Sequence, residues 1–279
     1  MSAVTYQDSL RGLPDDVAGE FDRLTIGWER FGEIDIADLS QGSALMTRTD
    51  RKYALTLEEA TYLQPLLPHA QVVTVAGRRT SLYRSRYFDT PRFDSYFEAA
   101  TSRRHRFKVR TRTYLDSGDS YLEVKTKNGR GQTMKQRCQI SQDSRADLSV
   151  ADRSFVATTL ELSNVPQARG LVEKLRPVVE TNYQRTTLLD PDGSRVTWDT
   201  ALHCSDAAKS VKYPQLVLIE TKSAGRTTAT DRLLWKSGHR PVSVSKFATG
   251  LSALHPELPT NKWHRVLNSR ATQSDIAVK

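Results

Sequence analysis

The sequence is short of the features that mark the common enzyme classes. Two cysteines in 279 residues, Cys138 and Cys204, cannot make a disulfide framework, and neither lies in a C-x-x-C pair. A reducing cytoplasmic setting is therefore expected. There is no G-x-x-x-x-G-K-S/T loop, and no G-x-G-x-x-G after a strand-like run, which removes P-loop and dinucleotide-binding folds. The six histidines (69, 105, 203, 239, 255 and 264) are scattered without H-E-x-x-H spacing, so a histidine-held zinc is not expected. No apolar run approaches membrane-spanning length, and no basic segment followed by an apolar stretch opens the chain. Neither an integral membrane segment nor a secretory signal is expected. Hydrophobic residues make up 38% and mean hydropathy is −0.54, a polar globular balance with enough chain for one substantial core.

The other scarcity is local. Between Arg103 and Arg137 stand eleven Lys or Arg residues and only three acids, Asp116, Asp119 and Glu123. That window carries eight of the nine net positive charges, so the basicity marks a site rather than a diffusely basic surface. Arg104, Arg106, Lys108, Arg110 and Arg112 fall at every second position, with Phe107 and Val109 between them. On a strand this puts five cations on one face. Such a ladder repels itself unless it is well solvated or meets a dense anion, and a chain of phosphates is the obvious one.

Strands are expected at 47–55, 71–76, 81–89, 103–115, 120–127, 133–141, 178–189, 194–200 and 215–222, with a last strand or edge at 241–247. Turn chemistry at Asp116–Asp119, Asn128–Gly131 and Asp190–Gly193 joins several as hairpins. Helices are expected from Thr56, from Asp143 to Leu175 with a break near Asn164-Val-Pro166, and from Ala229 to Ser237. The class is α+β, built on one antiparallel sheet system. Residues 1–46 form a lead-in, 47–255 the principal domain and 256–279 a polar tail containing Trp263.

Alternation recurs beyond the first ladder. Glu123, Lys125 and Lys127 share a face, as do Lys135 and Arg137, Arg195 and Asp199, and Glu220 and Lys222. Leu122 and Val124, like Val196 and Trp198, take the opposite phase. One architecture points the charged faces at water over an apolar sandwich core. The other closes the sheet around a charged lumen and covers it outside with helices. The sign of the charge favours the second, because solvated faces ordinarily mix acids with bases. Within a lumen, Arg forks and Lys ammonium groups would hold phosphate oxygens. A carboxylate there could hold Mg²⁺ or Mn²⁺; the candidates are Glu220 and Glu123, with Asp199 and Asp89 behind them. The alternative for each is an ion pair with a neighbouring cation.

Several segments together resemble a known family. They are Thr47-Arg-Thr-Asp-Arg-Lys-Tyr53, Ser85-Arg-Tyr-Phe-Asp-Thr-Pro91, Arg106-Phe-Lys-Val-Arg-Thr-Arg-Thr-Tyr114 and Leu122-Glu-Val-Lys125. Tyr183-Gln-Arg185, Trp198-Asp199, Ile219-Glu-Thr-Lys222 and Ser245-Lys-Phe-Ala-Thr-Gly250 follow in order. The chain from about Leu45 to His255 resembles the VTC domain, the catalytic domain of vacuolar transporter chaperone polyphosphate polymerases.

The resemblance implies an eight-stranded antiparallel triphosphate tunnel with helices outside. It implies a phosphotransferase that moves the γ-phosphoryl group of ATP onto polyphosphate with Mn²⁺ or Mg²⁺. Its partners would be ATP and polyphosphate or triphosphate, with no nucleic acid expected. Lys52, Arg110, Lys125 and Lys222 would be catalytic. Lys108, Arg112, Lys135, Arg137, Arg185, Arg195 and Lys246 would bind phosphate, and Glu220 would bind the metal. Related tunnel triphosphatases open with E-x-E-x-K; here Arg48 and Asp50 stand at the glutamate positions before Lys52, a change expected to favour transfer over hydrolysis. A metal-dependent triphosphatase and a non-catalytic polyanion binder remain the alternatives.

Overall fold

The computed structural model describes residues 10, 13, 17–19, 21, 26–39, 49–67, 70–127, 132–141 and 147–278. Twelve strands are described: β1 (Gly32–Asp35), β2 (Thr49–Thr56), β3 (Gln71–Thr74), β4 (Ser81–Asp89), β5 (Phe107–Tyr114), β6 (Ser120–Lys127), β7 (Thr133–Gln139), β8 (Arg176–Leu189), β9 (Arg195–Ser205), β10 (Lys209–Tyr213), β11 (Leu216–Ser223) and β12 (Asp275–Val278). Eight of them form one antiparallel path in the order β7-β6-β5-β4-β8-β9-β11-β2. β3 continues from the far end of β8, with β1 parallel to it. β10 and β12 extend the other end of β9.

Two register shifts bend this path, one in β4 against β8 at Tyr87/Phe88 and one in β8 against β9 at Asn182/Gln184. An extra residue kinks a strand and increases its twist, which curls a sheet into a wall. The curled sheet puts its cation-bearing phase inward and its apolar phase outward, under helices.

On the outside, Phe107, Val109, Leu122 and Val124 pack beneath α3 (Val150–Leu162) and α4 (Ala168–Glu173). Helix α1 (Leu57–Leu63) and α5 (Ala229–Lys236) cover Tyr53, Leu55, Val217 and Ile219. Capping boxes fix the starts of these helices: Thr56 with Glu59, Ser149 with Asp152 and Thr228 with Asp231. The break between α3 and α4 falls at Asn164, in a left-handed conformation before Pro166.

Helix α6 (Lys246–Leu254) is almost wholly buried against β8 and β9. A Cβ at Gly250 would lie 2.7 Å from Cys204 Sγ, so only glycine lets α6 lie flush on that wall.

Two expectations change. The strand foreseen at 103–115 begins only at Phe107. Ser102 and His105 have φ near +55° and +60°, in a left-handed turn that closes α2 (Asp94–Ala100). Arg104 is therefore exposed and off the ladder. Residues 241–245 are not a strand. Ser245 caps α6, accepting from Ala248 N at 3.4 Å, and the apolar run behind it buries better as a helix. In the C-terminal segment, whose order the sequence leaves open, Trp263, Val266 and Ala271 are buried in the largest core cluster, beside α7 (His264–Leu267).

Of the lead-in, Ile26, Trp28 and Phe31 join the core under β2 and β11, Trp28 meeting Trp198 edge-on at 5.3 Å. The expected turn at 128–131 and Arg48 lie outside the described residues. Among the described residues, no helix is long and apolar enough to cross a membrane.

Candidate functional site: a cation-lined tunnel

The inward faces enclose a cavity of about 400 Å³. Its lining takes Asp50 and Lys52 from β2, Lys108, Arg110 and Arg112 from β5, and Glu123, Lys125 and Lys127 from β6. Lys135 comes from β7, Tyr183 and Arg185 from β8, Asp199 from β9, and Glu220 and Lys222 from β11. Lys246 enters from the first turn of α6, and Arg106 and Lys262 are also in the wall. Twelve Lys or Arg side chains face four acids here, an excess that only bulk water or a polyanion can neutralise.

Among the described residues β2 and β7 are not paired with each other. Residues 242–245 link β2 to β5. Val242 N donates to Lys52 O at 2.7 Å and Lys52 Nζ to Val244 O at 3.3 Å, while Lys108 Nζ donates to Ser245 Oγ at 2.9 Å. What looks in sequence like a final strand is thus a seam between β2 and β5.

Two carboxylates each clamp two cations. Glu123, 2% exposed, accepts from Arg110 Nε at 2.7 Å and pairs with Lys135. Arg110 also donates to Tyr87 Oη at 3.1 Å. Asp199, 3% exposed, accepts from Arg185 Nε at 2.6 Å and Nη2 at 2.7 Å, and pairs with Lys246. Burial alone would raise both carboxyls. The paired cations instead hold each well below the ordinary range, so both stay ionised.

Tyr183 is the second organiser. Its Oη accepts from Arg112 Nη2 at 3.0 Å, and its ring lies 5.4 Å from the Arg185 guanidinium and 4.2 Å from Lys246 Nζ. Burial works to raise this phenol, but Arg112, Arg185 and Lys246 outweigh it and lower it.

Among the described residues, Lys108 and Lys125 have no such carboxylate clamp. Burial lowers the Lys108 ammonium well below its ordinary value, and Lys52, Lys125 and Arg110 push it the same way. Lys125 is lowered too, by burial and then by Lys52, against a partial return from Glu220.

Glu220 is the acid that β11 brings to the cavity. It lies 3.8 Å from Lys222 and faces Lys52 across the β11–β2 ladder, while Asp50, opposite Lys222, joins it in the cavity. Burial would raise its carboxyl, but Lys222, Lys52 and Arg185 bring it down to about 2. Among the described residues no group of three or more His, Cys, Asp or Glu could hold a metal ion. Glu220 and Asp50 offer carboxylate oxygens, the donor type of a hard divalent cation such as Mg²⁺, which usually takes its other oxygens from phosphate and water.

Glu123, also in the lining, is paired with Arg110 and Lys135. Other expected residues lie outside it. Asp89 accepts from the backbone N–H of Thr90, Ser95 and Tyr96 at the start of α2, remote from the cavity lining. Arg137 is exposed on the edge strand β7, stacked 5.0 Å over Tyr121, and Arg195 is exposed at the first position of β9. Neither lines the cavity, although their register partners Glu123 and Lys222 do. Tyr183, Tyr87 and Ser245 stood within or near the quoted segments but were not assigned roles. Lys262 had no signal beyond its neighbour Trp263 in a polar stretch.

The VTC domain model matches residues 47–255, most of the chain. The chain belongs to the VTC domain family. No curated protein matches it in sequence. Among solved structures, it is similar to the Hippeastrum protein HpAC1, a candidate adenylyl cyclase described with a dominant triphosphatase activity. That similarity has 16% identity and a TM-score of 0.45, covering 74% of this chain and 96% of the other. The PH1819 protein of Pyrococcus horikoshii OT3 shows 13% identity and a TM-score of 0.43, over 76% and 99%. The inorganic triphosphatase NE1496 shows 13% identity and a TM-score of 0.29, over 67% and 79%. In this VTC domain the tunnel wall is the antiparallel α+β sheet already described, and Lys262 lies outside the matched stretch.

Proposed function

We propose that this VTC domain is a polyphosphate polymerase, transferring the γ-phosphoryl group of ATP to the end of an inorganic polyphosphate chain. The observation that carries the reading is the excess of cations lining one cavity that also holds the carboxylates of Glu220 and Asp50. Phosphoryl transfer needs little covalent help from a protein; it needs alignment and neutralised charge.

In the proposed reaction, a terminal oxygen of the acceptor chain forms a bond to Pγ. The bond between Pγ and its bridging oxygen breaks, and ADP leaves with the electron pair. Arg110 and Arg185, held rigid by Glu123 and Asp199, present fixed forks to phosphate oxygens without reorganising. Lys52, Lys108, Lys125 and Lys222 supply compact charge from neighbouring walls. Glu220, with Asp50, would hold a Mn²⁺ or Mg²⁺ ion, which supplies further charge neutralisation on phosphate oxygens when bound.

The test is purified protein with ATP and Mn²⁺, with and without a short phosphate primer. Polyphosphate on a gel is the expected product, and its complete absence in both conditions overturns the reading. One observation favours a second outcome, hydrolysis of triphosphate: Asp50 keeps a second carboxylate in the cavity beside Glu220. Hydrolysis predicts phosphate release that outpaces chain growth and is lost in Glu220→Gln. Salt-dependent polyphosphate binding without any turnover would identify a binder instead.

A further inference from the structure

Arg106, Lys127 and Lys262 form a second cationic group in the cavity wall, where β5 begins and β6 ends. Lys127 N donates to Arg106 O at 2.9 Å, which fixes these two residues side by side. Lys262 Nζ reaches the wall from the C-terminal segment, donating to Ala99 O at 2.8 Å and Ser102 Oγ at 2.9 Å. Arg106 Nη1 donates to Arg103 O at 3.1 Å.

Every one of these contacts is to a neutral acceptor. Among the described residues none of the three cations has a recorded ion pair, whereas Arg110, Lys135, Arg185 and Lys246 all do.

The group is held in place. Trp263, 2% exposed, packs 5.3 Å from the Tyr96 ring, and Tyr96 Oη donates to Pro259 O at 2.9 Å. These contacts tie the C-terminal segment to α2 and hold Lys262 at the cavity. Burial lowers its ammonium, and Arg106 and Lys127 lower it further. Three cations held together without a carboxylate repel one another, and a multiply charged anion relieves that repulsion.

We propose that Arg106, Lys127 and Lys262 form an outer subsite for the distal phosphates of a long linear polyphosphate, beyond those gripped by the central cations. The proposal rests on the polyphosphate reading above. It assigns a chain-length preference to Lys262, a residue beyond the stretch that the family model matches. A phosphate chain suits the position because the three cations continue the lining that begins at Lys108 and Lys125. A tripolyphosphate held by the central cations is too short to use both groups fully.

The experiment is titration calorimetry of the full chain with tripolyphosphate and with long-chain polyphosphate, for wild type, Lys262→Ala and Lys127→Ala. The readout is the ratio of the two affinities. We expect each variant to lower the long-chain preference about tenfold, the size of one charge-assisted hydrogen bond. An unchanged ratio, whether both affinities fall together or neither falls, overturns the outer subsite while leaving the function intact. Wild type that binds neither ligand overturns the functional reading and the subsite with it. Single-stranded RNA that competes as strongly as long polyphosphate also overturns the assignment. Should Lys262→Ala lower the melting midpoint by unseating Trp263, Lys127→Ala decides alone, since its side chain has no recorded tether among the described residues.

Discussion

The cations of this tunnel fall into two groups that share one cavity and differ in what holds them. Arg110, Lys135, Arg185 and Lys246 are bound to Glu123 or Asp199. Lys108 and Lys262 are held by neutral oxygens, and the Lys125 ammonium is lowered by burial and by Lys52. The clamped group is half neutralised, each carboxylate bridging two cations, so its geometry is held without ligand. The unclamped group stores repulsion that a polyanion would release. Rigid forks and unspent charge are separate requirements of a phosphate site, and here different residues meet them.

The largest effect that tests this division is on stability. Asp199→Ala removes the carboxylate shared by Arg185 and Lys246 and leaves two cations in a buried wall. Removing one partner of such a pair costs about 3 kcal/mol. Denaturant unfolding should show a loss of that order, with Asp199→Asn losing less because the amide still accepts one hydrogen bond. A loss under about 1 kcal/mol, the range of exposed pairs, would mean the clamp is not structural.

The next effect separates two residues that the sequence puts in one class. Arg110 and Lys125 share the basic window, and from pattern alone removing either should spare or raise stability by relieving repulsion. Arg110 is the exception once Glu123 and Tyr87 are seen around it. Arg110→Ala should cost about 1–2 kcal/mol, since Lys135 still partners Glu123. Lys125→Ala should leave the melting midpoint unchanged or raise it. Both should weaken polyphosphate binding. Equal stability losses from the two would erase the distinction between clamped and unclamped cations.

The alternation of β5, β6, β9 and β11 carries both the tunnel wall and its inward charge, because a period of two decides face without reference to anything distant. The family segments locate most of the lining. Partnership was less legible: Glu123 stands opposite Arg110 and Arg137, and Asp199 opposite Arg185, only through strand register. The sequence therefore could not tell a metal ligand from a clamp. Arg104 was misplaced because a left-handed turn at Ser102 and His105 ends the ladder early. The expected strand or edge at 241–247 overlaps the first turn of α6, which begins at Lys246. Lys262 depends on a long-range tether to α2 that no local pattern announces.

The smallest effect is a titration. Lys108 carries an ammonium lowered well below its ordinary value, first by burial and then by Lys52, Lys125 and Arg110. The unfolded chain titrates this group near the usual lysine value of about 10.4. Between the lowered folded value and that point, the unfolded state binds more protons, so stability rises with pH and levels off above it. Lys108→Met should flatten that rise in melts taken across the alkaline range. Binding of a polyanion acts in the opposite sense on the same group: nearby phosphate favours the ammonium, so complex formation takes up protons. Calorimetry in buffers of different ionisation heat should record uptake of a fraction of a proton per site for wild type and less for Lys108→Met. Proton release on binding, or uptake unaltered by the substitution, would place the uncompensated charge on other side chains.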